Sequence, residues 1–177
     1  MQIKRIEPRV ITYALEAESY DEGWQCMWAK FIFDCDSGQL NINSDAGDYS
    51  YRWGYNQNED FMHLMTRVEK GYLLNKISDR SVFNFKKSQK AMIKAVKEKA
   101  IPYGWCKTGK EVARLVADIK DIEYGCSEET FFRTVDSILN IDYEDIEIIK
   151  EYPHGAKVVV DIFEKYVQPK IKEDLAS

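Results

Sequence analysis

The first third of the chain alternates apolar and polar positions in the way that β-strands do. Runs rich in β-branched and aromatic residues cover residues 9–15, which follow Pro8, and residues 27–33. Residues 40–43 alternate strictly between apolar and polar, and residues 49–53 do the same after a turn rich in Asp and Gly. Short turns between consecutive strands favour antiparallel pairing, so the sequence predicts an antiparallel sheet.

From residue 58 onward the apolar positions recur with the period of an α-helix. Ser88, Thr108 and Ser127 are residue types that commonly cap a helix N-terminus, and each precedes an apolar stripe. A final helix is predicted from Gly155, with a kink or restart at Pro169. The predicted class is α+β: an N-terminal antiparallel sheet of about four strands, followed by about five helices packed on one face. Residues 1–177 are predicted to form a single domain, mainly β over 1–57 and mainly α over 58–177.

Charge is distributed unevenly along the 177 residues. The formal net charge is −5, but residues 1–65 carry −6, residues 66–120 carry +9 and residues 121–177 carry −8. A basic middle between two acidic ends has two interpretations. Either the charges neutralise one another in the fold, or the middle presents a basic face to an acidic partner.

The basic residues of the middle segment include a regular stripe. It consists of Lys86, Lys90, Lys94 and Lys97, with Lys87 beside it. The spacing i, i+4, i+8, i+11 places the stripe on one side of a helix, away from the apolar Met92 and Val96. The sequence leaves open a solvated face, a contact with the acidic C-terminal third, and a surface that binds phosphate or an acidic protein.

The aromatic residues of the fourth predicted strand form a second candidate surface. Tyr49, Tyr51 and Trp53 share one face of this strand, where they are either part of the core or a platform on which bases stack. Arg52 lies on the opposite face, and its planar guanidinium suits a carboxylate or a phosphate. Arg52 therefore joins the five lysines as a predicted contact residue.

Catalytic patterns are missing from the sequence. There is no phosphate-binding glycine loop and no G-x-S-x-G motif, and neither His63 nor His154 belongs to a zinc-binding motif. Asp118-Ile119-Lys120 has a nuclease-like D-x-K spacing but lies in a helical pattern, and aspartates near two predicted turns suit turn formation better than a cation site. The cysteines have no metal or redox spacing, and they are Cys26, Cys35, Cys106 and Cys126. The sequence predicts a protein that is not an enzyme and that has no metal or other cofactor.

One stretch of the sequence resembles a known family. Residues 40–54 end in Ser-Asp-Ala-Gly-Asp-Tyr-Ser-Tyr-Arg-Trp-Gly, which is similar to a signature of small phage and prophage proteins. In that family the signature precedes a Phe-Leu helix and a Tyr-Leu-x-x-Lys helix. Residues 61–64 and 72–76 match those two helices, and the aromatic-x-x-Pro at 166–169 also fits.

The resemblance implies an accessory protein of a phage or mobile element, in the cytoplasm of the bacterial host. By analogy with anti-CRISPR proteins, the first hypothesis is an inhibitor that binds a host defence protein or ribonucleoprotein, such as a CRISPR effector. The second hypothesis is a phage protein that binds nucleic acid through the lysine stripe, and a nuclease or other enzyme is the third. No apolar run reaches the length of a membrane span, so no membrane association is predicted. An exposed edge strand of the sheet is expected to favour a homodimer.

Overall fold

A computed structural model describes residues 3, 5–16, 26–54, 59–141 and 143–177 of the chain. The chain forms two compact units, each with its own hydrophobic core. Met1–Arg80 and Tyr152–Ser177 make up the first, here called the sheet unit. Ser81–Glu151 make up the second, the helical unit. The prediction that residues 1–177 form a single domain stays a prediction.

The sheet unit contains a four-stranded antiparallel meander in the order β1-β2-β3-β4. Its strands are β1 (Val10–Glu16), β2 (Trp28–Asp34), β3 (Gln39–Ser44) and β4 (Tyr49–Arg52). The register places Tyr13 beside Phe31 and Phe31 beside Ile42, so one face of the sheet is apolar across all four strands. Tyr49 lies opposite Ile42 on this same face. The apolar face forms the floor of the first core.

Helices from both ends of the sheet unit contribute to its core. They are α1 (Phe61–Met65), α2 (Lys70–Ile77), α6 (His154–Ile162) and α7 (Gln168–Ala176), with a π-helical segment, Phe163–Val167, between the last two. Phe61, Leu73 and Phe163 are almost completely buried together with Phe31 and Phe33 of the sheet. A kink or a restart was predicted at Pro169, and the structure shows a restart: the π-helical segment ends at Val167 and α7 begins at Gln168, with Pro169 in its first turn.

The helical unit has three long helices and a small two-stranded sheet. Its elements are β5 (Val82–Phe83), α3 (Phe85–Lys99), α4 (Gly109–Lys120), α5 (Glu128–Leu139), a 3₁₀ turn at Tyr143–Asp145, and β6 (Lys150–Glu151). β5 and β6 pair antiparallel. Met92, Ile119 and Phe131 are fully buried, and Phe131 packs against the rings of Phe83 and Phe85 at centroid distances of 5.5 and 5.6 Å. The amphipathic stripes predicted from the sequence therefore face one another here.

These elements confirm the predicted α+β class and its four-stranded antiparallel N-terminal sheet followed by helices. Thr108 and Ser127 accept hydrogen bonds from the N3 amides of α4 and α5, as the sequence predicted. The structure adds that α3, α4 and α5 bury their apolar stripes in the core of the helical unit.

The cap of α4 leads to a stability prediction. Glu111 N–H donates to Thr108 Oγ1 at 3.2 Å, while the Glu111 carboxylate accepts from the N–H groups of Lys107 and Thr108. Thr108→Ala removes the side-chain acceptor of this reciprocal pair and is expected to lower the free energy of unfolding by about 1 kcal/mol. Thr108→Ser keeps a hydroxyl and should remain close to the wild type in urea denaturation. Equal stability of the Ala and Ser variants would contradict this account of the cap.

Candidate partner-binding surface

The five predicted lysines all lie on α3 with exposed side chains. Those residues are Lys86, Lys87, Lys90, Lys94 and Lys97. The opposite side of the helix carries Phe85, Met92 and Val96, which are buried in the helical unit. From Lys86 to Lys97 the stripe extends about 17 Å along the helix axis, given the rise of an α-helix. The stripe is thus a continuous basic surface.

Both lysines in the first turn of α3 have contacts within the helical unit. Lys87 forms an ion pair with Glu151 of β6, and Lys86 Nζ lies 5.2 Å from the centre of the Tyr124 ring. Lys99, at the end of the helix, lies 3.5 Å from the Glu147 carboxylate. Two acidic residues of the C-terminal third therefore pair with lysines near the two ends of α3, which agrees with one of the sequence interpretations.

The lysines farther along the stripe differ from those of the first turn in their ion pairing. Lys90, Lys94 and Lys97 form no ion pair within the described parts of the chain, although each is exposed. Their charges lie at i, i+4 and i+7, where like charges repel by about 0.2–0.5 kcal/mol per pair. A protein anion or a phosphate at this position would convert that small penalty into attraction.

A groove with an apolar floor runs beside these three lysines. Its volume is about 500 Å³, and its lining residues are Lys87, Lys90, Ala91, Ile93, Lys94, Lys97, Glu98 and Ile149. Most of the groove's exposed lining is apolar, and it comes from Ala91, Ile93, Ile149 and the aliphatic stems of the lysines, while Glu98 adds one carboxylate to the four ammonium groups. The groove thus combines cations with apolar surface, and it lacks an aromatic lining residue on which a base would stack. We call it the lysine groove.

Ile149 lines the groove because the segment around it is hydrogen-bonded along α3. Ile149 N–H donates to Ser88 Oγ at 2.8 Å, and Asn84 N–H donates to the Ile149 carbonyl at 2.9 Å. Farther along, Glu147 N–H approaches the Met92 sulfur at 3.1 Å. These contacts fix Ile149 next to the lysine stripe, although the two are distant in the sequence.

The prediction that Ser88 caps α3 was wrong. The helix begins one turn earlier, at Phe85, and Asn84 is its cap, with its side chain accepting from Lys87 N–H at 2.9 Å. Ser88 is fully buried inside the helix, where its hydroxyl receives the Ile149 amide. Ser and Asn both suit a cap, and the long-range bond to Ile149 decided between them. Neither this bond nor the groove was predicted, since nothing local in the sequence indicates which helix residues 147–151 follow.

Arg52 and the five lysines belong to different compact units. Arg52 belongs to the sheet unit, where it is exposed on β4 and its Nε donates to the Ser37 carbonyl at 3.2 Å. Its predicted role as a contact residue stays a prediction. The aromatic residues on the other face of β4 are core: Trp53 is 7% exposed, and Tyr49 and Tyr51 pack half-buried against the same cluster. The base-stacking interpretation of this face is therefore not supported.

The turn aspartates act largely as the sequence indicated. Asp34 accepts from the N–H groups of Asp36 and Ser37, and hydrogen bonding from Ser37 is the largest of the effects that lower the pKa of Asp34. Asp45 accepts from Met27 N–H at 2.7 Å in the next turn. Asp118 lies on α4, 3.8 Å from Arg114. Among the described residues, no group of three or more His, Cys, Asp or Glu side chains is arranged to hold a metal ion.

The cysteines are free thiols. Cys26 and Cys35 are buried in the core of the sheet unit, and Cys106 and Cys126 are half-buried in the helical unit. Burial raises the pKa of Cys26 to about 11, and the nearby Asp45 contributes in the same direction. At neutral pH this thiol is protonated, which makes it a poor nucleophile.

Comparisons with known proteins are consistent with the resemblance noted in the sequence. No helix in the described ranges is long and apolar enough to cross a membrane. No curated protein and no solved structure matches the chain. A family model described as a phage family matches residues 1–173, nearly the whole sequence. The chain therefore belongs to this family of phage proteins.

Proposed function

We propose that the chain is a non-enzymatic phage protein that inhibits a host defence complex, such as a CRISPR effector, by binding an acidic protein surface in the lysine groove. The observation that carries the proposal is the groove itself. Lys90, Lys94 and Lys97 form no ion pair in the described part of the chain, and they line the groove together with the apolar Ala91, Ile93 and Ile149. Membership in a phage family supports a role directed at the bacterial host.

The chemistry of the groove favours a protein partner over nucleic acid. Lysine ammonium groups attract carboxylates and phosphates alike, but only a partner with apolar side chains gains from covering Ala91 and Ile149. Sequence-independent binding of single strands usually adds aromatic side chains on which bases stack, and the groove lining has none. An acidic protein segment with one or two aliphatic residues matches both parts of the groove.

The ion pair between Lys87 and Glu151 illustrates the contact expected of the partner. Glu151 places a carboxylate at one end of the groove, on a strand that runs beside α3. A partner acid at Lys90 or Lys94 would make the same contact one or two turns farther along the helix. Charged contacts of this kind speed association and select acidic partners, while the apolar floor retains them.

Direct binding to nucleic acid through the same lysines is the second candidate function. It is favoured by the regular spacing of exposed cations along one helix face. The affinity of such a binder falls steeply with salt, because each neutralised phosphate releases condensed counterions. The two candidate functions therefore predict different results after nuclease treatment: a complex with a protein partner survives, whereas a complex held together by nucleic acid does not.

The experiment is affinity purification of the tagged chain from bacterial host cells, with and without nuclease, followed by mass spectrometry and an activity assay of the recovered partner. We expect a stoichiometric complex with a host defence protein that survives nuclease and has lost its activity. Binding of the purified chain to single- and double-stranded oligonucleotides is measured in parallel. Partner proteins lost on digestion, together with tight oligonucleotide binding, would overturn the proposal in favour of nucleic-acid binding.

A further inference from the structure

The outer edge of the sheet is a long strand without the usual protection. β1 pairs with β2 on one side only, and no strand lies on its other side among the described residues. Its sequence, Val-Ile-Thr-Tyr-Ala-Leu-Glu, contains neither lysine nor proline, the residues that natural edge strands most often use to discourage pairing with another chain. As far as the described residues go, the edge is therefore available to a further strand.

The hydrogen-bond pattern shows which residues face that open edge. Cys35 N–H donates to the Arg9 carbonyl at 2.9 Å, so Arg9 directs its backbone polar groups towards β2. In an antiparallel ladder this direction alternates, so Ile11, Tyr13 and Leu15 also bond to β2. The intervening residues present their N–H and C=O groups outward, and they are Val10, Thr12, Ala14 and Glu16.

We propose that two copies of the chain pair through β1, antiparallel, about a two-fold axis at Tyr13. This register places Thr12 opposite Ala14 of the second copy and Val10 opposite Glu16. Each of these is a hydrogen-bonded pair, so every outward N–H and C=O group of both strands gains a partner. A register centred on Thr12 instead would place Glu16 opposite Pro8, which has no N–H to donate.

The side chains suit the same register. On the core face, Ile11 lies opposite Leu15 of the second copy and Tyr13 opposite Tyr13, and all three are half-buried in the single chain. Pairing would cover their exposed parts with other apolar or aromatic groups. On the outer face the only charged residue of the strand, Glu16, meets Val10, so no like charges oppose each other. The Tyr13 hydroxyl donates to Asp174 of α7 at 2.9 Å, which holds the centre of the strand in place.

Two double variants test the register. Thr12 and Ala14 are exposed on the outer face, so both positions accept charged side chains without disturbing the core of a single copy. T12E/A14E places like charges opposite each other at two symmetric sites of the dimer, whereas T12K/A14E places opposite charges there. The two variants differ only at position 12 and share the same change at position 14.

The masses in solution are measured by light scattering at several micromolar concentrations. We expect the wild type and T12K/A14E to have twice the 20.7 kDa mass of the chain. T12E/A14E should dissociate, with a dissociation constant raised by roughly tenfold. A monomeric wild type, or equal dimerisation of the two variants, would overturn the proposal. Unchanged circular dichroism confirms that each variant is folded.

Discussion

Reversing the charge of Lys90 and Lys94 together is expected to weaken binding of the host partner by roughly a hundredfold, about 3 kcal/mol. Each reversal replaces an attraction to a partner carboxylate with a repulsion, beside an apolar floor where water is displaced on binding. Both residues are exposed and form no ion pair within the described ranges, so K90E/K94E removes no stabilising contact that the structure describes. The two introduced carboxylates repel each other as the two lysines did, but each gains an opposite charge three or four residues away, in Lys86 or Lys97.

A matched variant distinguishes the effect of the groove lysines on affinity from the effect of the chain's net charge. Lys165 and Lys172 are exposed lysines of the sheet unit, and K165E/K172E changes the net charge of the chain by the same amount. Titration calorimetry with the purified partner should give wild-type affinity for K165E/K172E and the large loss only for K90E/K94E. Equal losses in the two variants would mean that the overall charge, and not the lysine groove, attracts the partner.

Replacing Gly155 by alanine is expected to destabilise the sheet unit by about 3 kcal/mol, although alanine is the better helix former. Gly155 lies in the first turn of α6, where the helix approaches the turn between β3 and β4. A Cβ at this position would lie 1.9 Å from the carbonyl oxygen of Ala46 and 2.8 Å from the Tyr49 hydroxyl. The nearer atom belongs to the backbone, so the clash is relieved only by moving α6 away from the sheet.

Gly71 provides the control because it is also the second residue of a helix in the sheet unit. No atom lies within 4 Å of a Cβ built at Gly71. Gly71→Ala should therefore be neutral or stabilising by up to about 1 kcal/mol, as helix propensity dictates. Hydrogen exchange of the β2 and β3 amides reports the stability of the sheet unit directly, and similar protection in the two variants would refute the close packing at Gly155.

The strands and the caps of α4 and α5 were predictable because they depend on local chemistry. Alternation places Leu40 and Ile42 on one face of β3, and Tyr49 and Tyr51 on one face of β4. The observed register brings these two faces together in the core. Thr108 and Ser127 cap helices because their side chains reach amides three residues away.

Only the lysine side of the lysine groove was predictable, because only that side depends on local spacing. The spacing of the lysines placed them on one side of α3, and their exposure confirms that part. Ile149 and the burial of Ser88 depend on a hydrogen bond between residues 61 positions apart, which no periodicity reveals. The packing of α3, α4 and α5 around Phe131 was also not predictable. The sequence shows that each helix has an apolar stripe, but it does not show which stripes pack against one another.

The most direct test of the central claim is plaque formation by a phage that the host's own CRISPR system targets. Host cells produce the wild-type chain, K90E/K94E or K165E/K172E at equal levels, and plaques are counted against a strain without the defence system. The account predicts that the wild type and K165E/K172E restore plaques, whereas K90E/K94E does not. Equal restoration by K90E/K94E, or no restoration by the wild type, would contradict inhibition of host defence through the lysine groove.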